Sequence, residues 1–271
     1  MKLSRTRILV ECAVLLAFAT ALSLFKIVDL PYGGSVTVAS MLPVVIIAYR
    51  HGLGYGLVSG AIYGVIQQLL GLKTLSYVTT WQSILAVILL DYVAAFMVIG
   101  LAGIFRKPVK NQAAAMTIGS VFICALRYVC HVISGATVWK GLSIPDFDSL
   151  GYSLAYNATY MVPETIVLAV AAYYIGSSLD FRTEQPVRIV RQSAGLKSAL
   201  LAIGAGLLLT AAAIFDVAAV FRELQNGETG DWYIEGLALV NWPLVAVISA
   251  VGVLGAIVLF ILSAKAKKEN A

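Results

Sequence analysis

The chain has 271 residues, of which 60% are hydrophobic and 12% charged, and its mean hydropathy is +0.90. That composition excludes an ordinary soluble globular domain and indicates a polytopic membrane protein. The net charge of +5 is accounted for by loop asymmetry, described below, and is not read as a nucleic-acid surface.

A helical span takes about 20 apolar residues, so there is room for roughly six to eight. Apolar runs predict eight, over residues 7–25, 35–49, 53–71, 81–105, 113–136, 150–178, 197–221 and 237–264. The basic start MKLSRTR runs directly into the first span, with no small-residue cleavage site behind it, so a retained span is expected rather than a signal peptide. Ala13, Ala17 and Ala21 recur every four residues on that span. Such small-residue spacing suits either packing inside the protein or a docking face for another membrane protein. LPYGGS is a loop. YRHGLG joins the second and third spans as a short hairpin, and Gly56, Gly60 and Gly64 in the third predict close helix packing. SIPDFDS is a loop after the fifth span. DFRTEQPVRIVRQSAGLK is the long polar connector.

The expected organisation is all-α: a six-span body over 1–179, a basic linker over 180–197 and a two-span hairpin over 198–271. Lysine and arginine collect on cytoplasmic loops. Fourteen lie on one predicted face, against four on the other (Lys26, Lys73, Lys140 and Arg222), with Arg127 inside a span. Both termini are therefore expected in the cytoplasm. Between the last two spans, RELQNGETGDWYIEG would be exterior, with Trp232 and Tyr233 at the interface or near the site.

No phosphate loop of the GxxxxGK[ST] type occurs, nor an HExxH or GxSxG motif, so neither a self-contained nucleotide motor nor an intramembrane hydrolase is indicated. The glycines of GLGYGLVSGAIYG lack the preceding strand of a dinucleotide loop. Cys12, Cys124 and Cys130 read as small hydrophobes, without metal-ligand spacing. No cofactor and no metal are expected.

Ionisable residues inside spans are costly, about 2.5 to 3.5 kcal/mol at the bilayer centre, and mark cavities or partners. Here they are Asp91 in LLDYVAAF, Arg127 and His131 in LRYVCHVISGATVW, and Glu164 after Pro163; Asn157 in GYSLAYNATYMVPE joins them. With the amino terminus inside, Tyr63, Asp91, His131 and Asn157 all fall in the outer half of their spans at about 1.5 Å of rise per residue. Trp139, Tyr152 and GGSVT would lie above them. A carboxylate, an imidazole, a carboxamide, phenols and an indole together suit a small cationic, ring-containing ligand. An interfacial aromatic belt is the other reading of Trp139, Tyr152, Tyr156 and Tyr160. Tyr160 and Glu164 share the helix face of Asn157 and are candidate supporting residues. Arg127 is a candidate partner for one of the carboxylates.

Five separated motifs in order, YGGSVTVASMLPV, YRHGLGYGLVSGAIYG, LLDYVAAF, LRYVCHVISGATVW and GYSLAYNATYMVPE, resemble the thiamine-specific substrate-binding subunit, or S component, of bacterial energy-coupling factor (ECF) transporters. The resemblance covers about residues 5–178. It implies a six-helix S-component fold in the cell membrane, tight thiamine binding from outside, and a membrane coupling protein with two ATPase subunits that use the ATP. By motif, Asp91, Tyr92, His131, Trp139, Tyr152 and Asn157 match ligand-binding positions. Tyr63 and Gly34 match binding positions where some members carry tryptophan, which leaves one wall of the site to be covered by another group at Gly34. Ala13 and Ala17 match a first-helix AxxxA motif that faces the coupling protein. A membrane subunit that keeps the pocket without transporting, in sensing or assembly, is the alternative from another class.

Overall fold

In the computed structural model the described residues are 4–30, 33–140, 149–189, 195–224 and 234–269. The chain divides into two compact units, Met1–Ile189 and Val190–Ala271. Among the described residues, seven helices are long and apolar enough to cross a bilayer.

In the first unit, α1 (Arg5–Ser23) leads into a small antiparallel ladder of β1 (Lys26–Asp29) and β2 (Ser35–Thr37). Then follow α2 (Leu42–His51) and α3 (Leu53–Leu70), a 3-10 turn over Leu72–Tyr77, and the long helix α4 (Trp81–Arg106). The unit is completed by α5 (Gln112–Thr137), α6 (Ser149–Ser178) and a two-residue ladder of β3 (Leu179–Asp180) with β4 (Val187–Arg188).

The second expected span, 35–49, is corrected by the structure. It is a strand, a turn and a ten-residue helix, and that helix rises only about 15 Å. Every residue of α2 from Leu42 to Arg50 is buried, because α1, α3, α4, α5 and α6 all pack around it. A helix apolar on all sides is stable only when enclosed. Its length and composition thus make a core helix, where hydropathy alone reads a span. Among the described residues the body has six helices, five of them of spanning length.

The glycine repeat packs inside the body. A Cβ on Gly60 would come within 2.5 Å of the Phe96 carbonyl oxygen, and one on Gly64 within 2.5 Å of that of Tyr92, while Gly56 abuts Gly100. Backbone contact between α3 and α4 fixes the height of Asp91 and Tyr92. The stretch Ile88–Ala94 of α4 is π-helical, a local widening frequent at functional sites.

One end of the body is closed by charge. Arg50 is buried and pairs with Glu11 of α1; its guanidinium also donates to the carbonyl oxygens of Phe181 (2.9 Å), Thr183 (2.8 Å) and Glu184 (2.6 Å). His51 Nε2 lies 3.3 Å from Glu11, Arg106 donates to the Arg50 carbonyl at 2.8 Å, and Arg7 pairs with Glu184 at 2.7 Å. The start of α1 and the segment after α6 therefore meet at the same end. Nearby, hydrogen bonds from Arg182 hold the Asp180 carboxyl down at about 2. Residues 179–188 belong to this cap: Phe181 is buried, and its N–H donates to Gln112 Oε1 at 2.9 Å.

The second unit is a hairpin of α7 (Leu196–Leu224) and α8 (Trp242–Glu269). Ser198 and Ser263 donate to each other's carbonyl oxygens at 2.9 and 2.8 Å, and Ser249 donates to Asp216 at 2.5 Å. Pro31, Tyr32, the SIPDFDS loop except Ser149, Trp232 and Tyr233 lie outside the described residues.

Candidate functional site

At the end of the body opposite the charged cap, a cavity of about 520 Å³ is lined from the β1–β2 hairpin, α3, the Leu72–Tyr77 turn, α4, α5 and α6. Lys26 and Asp29, paired at 2.9 Å, and Lys73 stand at its exposed rim.

Asp91 organises one side. Its Oδ2 accepts from the Ser134 hydroxyl at 2.6 Å and the Trp139 indole N–H at 3.2 Å. Its Oδ1 lies 3.0 Å from His131 Nδ1. Nε2 of the same ring is buried and has no hydrogen-bond partner among the described residues. Trp139 is itself buried, in a tilted pair with Tyr77 at 6.5 Å. It lines the cavity wall. Ser134 was legible in principle, lying one turn beyond His131 on α5, but a serine in an apolar helix carries no signal of its own.

The remaining expected residues divide. Tyr92 lines the cavity and donates to Thr74 Oγ1 at 3.3 Å. Tyr152 lines it too, buried and parallel to Tyr156 at 6.4 Å. Asn157 donates to the Ser153 carbonyl at 2.8 Å and accepts from the Tyr160 hydroxyl at 2.6 Å. Gly34 and Tyr160 are both in the lining. Tyr63 is not: it is fully buried, its hydroxyl reaches the Ala19 carbonyl at 3.3 Å, and its ring meets Phe96 edge-on. Contact with α1 takes up the side chain that the span count places beside Asp91.

Arg127 and Glu164 both sit at the floor, where a smaller chamber also touches Ser35, Thr37, Gln67 and Tyr160. Arg127 makes no ion pair among the described residues; its guanidinium lies 4.4 Å from the Phe96 ring centre and points at the Met41 sulfur. Glu164, 4% exposed, accepts from Thr37 N–H at 2.6 Å and Thr37 Oγ1 at 2.8 Å. Arg127 is thus in contact with an aromatic face, its charge reaching Glu164 only at longer range, and Glu164 holds β2 against α6. Ala13 and Ala17 are exposed on α1, beside Val10, Val14 and Phe18.

The family profile described as Thiamine transporter protein (Thia_YuaJ) matches residues 9–181. The chain belongs to this thiamine transporter family. It is a multi-pass membrane transporter and not an enzyme. It is similar to the thiamine transporter ThiT of Bacillus subtilis (strain 168), with 34% identity over 173 residues that make up 60% of this chain and 86% of that protein. Its fold resembles the solved structure of ThiT from Listeria monocytogenes, with a TM-score of 0.52 at 22% identity, over 64% of this chain and 94% of that one. The thiamine transporter family match ends before the α7–α8 hairpin.

Proposed function

We propose that this protein is the thiamine-specific S component of an ATP-driven ECF transporter and binds thiamine tightly in the cavity at the Asp91 end. The observation that carries this reading is the Asp91–His131 pair in an aromatic-walled cavity. Ser134, Trp139 and His131 gather on the Asp91 carboxyl group at the cavity wall, and a carboxyl group there favours a cationic guest. His131 Nε2, without a hydrogen-bond partner among the described residues, is placed to meet the amino or hydroxyl group of thiamine. A buried polar atom without a partner costs about 1–3 kcal/mol, which a ligand partner would recover. Trp139, Tyr152 and Tyr92 supply aromatic surface for the thiazolium by cation–π attraction.

The charged cap carries most of the basic residues of the body, so it is assigned to the cytoplasmic side and the cavity to the exterior. Both termini are then cytoplasmic, and the connector over 180–197 faces the cytoplasm between the 1–179 body and the 198–271 hairpin. ATP is hydrolysed by partner ATPase subunits, and the exposed Ala13 and Ala17 face of α1 meets the membrane coupling protein.

Titration of the purified full chain with thiamine, without ATP, tests this. The parent is expected to bind. Asp91→Ala, which strands three partners, is expected to lose about 30-fold or more, corresponding to about 2 kcal/mol, and Trp139→Ala about tenfold. Unchanged affinity in both variants would reject the site, and no binding by the parent would reject the function. Uptake that requires co-expressed coupling protein and ATPases separates transport from a sensing or assembly role.

A further inference from the structure

Gly34, in the turn entering β2, and Tyr160, on α6, compete for one volume. A Cβ added to Gly34 would lie 2.8 Å from Tyr160 Cδ1, 3.0 Å from its Cε1 and 3.2 Å from Leu30 Cδ1. Carbon atoms do not approach so closely, so the ring stands where it does because residue 34 has no side chain. The Tyr160 ring cannot easily turn aside. Its hydroxyl donates to Asn157 Oδ1 at 2.6 Å, and the ring makes edge-type contacts with His131 at 6.1 Å and Tyr156 at 5.9 Å. Both Gly34 and Tyr160 line the cavity.

The hydrogen bonds of Asn157 point the same way. Its Oδ1 is taken by the tyrosine, and its Nδ2 by Ser153 and, at 3.4 Å, the His131 carbonyl. The carboxamide is turned toward the protein, as a clamp on the phenol. The aromatic face beside His131 is therefore that of Tyr160.

We propose that Gly34 and Tyr160 act as one specificity-determining pair: the bare backbone at 34 admits the Tyr160 ring, and that ring forms the wall against which a ring of the ligand packs. A side chain at 34 and the ring at 160 are then alternatives for the same wall. Asn157 is a positioning residue, acting on the ligand through Tyr160. This rests on the thiamine-binding reading above.

A double-mutant cycle on the full chain tests it. Thiamine affinity is measured by calorimetric titration for the parent, Gly34→Trp, Tyr160→Ala and the double variant, with Tyr160→Phe alongside. Gly34→Trp alone forces two rings into one space, and Tyr160→Ala alone opens the wall; each is expected to weaken binding about tenfold or more. In the double variant the introduced indole takes the vacated volume. Its affinity is expected to exceed the product of the two single effects by at least about tenfold, and thiamine should quench its fluorescence beyond the quenching seen in Tyr160→Ala. A purely structural role for Tyr160 would not produce that added quenching. Tyr160→Phe keeps the ring but frees it from Asn157, and is expected to weaken binding, though less than Tyr160→Ala does.

Coupling below about tenfold, or no added quenching, would overturn the pair while leaving thiamine binding standing. Absence of binding by the parent would overturn both. If Gly34→Trp does not fold, Gly34→Ala closes the same cycle, because its Cβ alone makes the forbidden contact, and affinity coupling is then the sole criterion.

Discussion

Glu11, Arg50 and His51 form a charged knot at the end of the body remote from the cavity. Arg50 in the sequence is a basic residue at a span end, counted only toward orientation. In the structure it is buried and gathers three carbonyl oxygens from the chain after α6. Breaking a buried ion pair by removing one partner is costly because the other charge stays desolvated. Glu11→Ala is expected to lower stability by about 2–3 kcal/mol, less than for a fully buried pair since Glu11 retains some solvent. Thermal unfolding of the purified protein in detergent reads this, and an unchanged midpoint would remove the knot from the account of stability. At the cavity end, Asp91, Tyr92, His131, Trp139, Tyr152 and Asn157 were legible because polar or aromatic groups within spans are conspicuous. Ser134, Thr74 and Glu11 were not, since a small hydroxyl or a carboxylate near a span end has no such contrast.

At the scale of elements, the contact between α3 and α4 determines where Asp91 stands. The spacing of Gly56, Gly60 and Gly64 announces a close approach, but only the packed helices show its partner, the backbone around Tyr92, Phe96 and Gly100. Gly60→Ala is expected to destabilise the protein by about 1–3 kcal/mol through overpacking and to weaken thiamine binding as α4 is pushed outward. Gly54→Ala, on the same helix with nothing within 4 Å of its Cβ, is expected to be neutral or stabilising by up to about 1 kcal/mol. Paired unfolding measurements check the opposite signs; equal losses would mean that helix propensity, not contact, explains both. α2 shows the converse limit of sequence reading. Its apolar run is continuous with that of residues 35–41, so hydropathy merges a strand, a turn and a short enclosed helix into one span.

At the scale of the molecule, the two units differ in how much of them is accounted for. The family match ends at residue 181, and the described residues that line the cavity belong to the body. Deletion of residues 190–271 is accordingly expected to leave thiamine affinity within about threefold, under 1 kcal/mol. A larger loss in titration of the truncated chain would assign the hairpin a part in the site. Membrane class, the number of long helices to within one, and the gathering of basic residues at one end were determined by the sequence itself. Each is a property of a single segment: an apolar run either reaches the thickness of a bilayer or does not, and charges mark its ends. The enclosure of α2, the withdrawal of Tyr63 to α1, the pairing of Arg50 with Glu11 and the seating of Tyr160 on Gly34 were decided only by tertiary packing. Each depends on how closely two distant backbones approach, and that distance is set by every side chain between them.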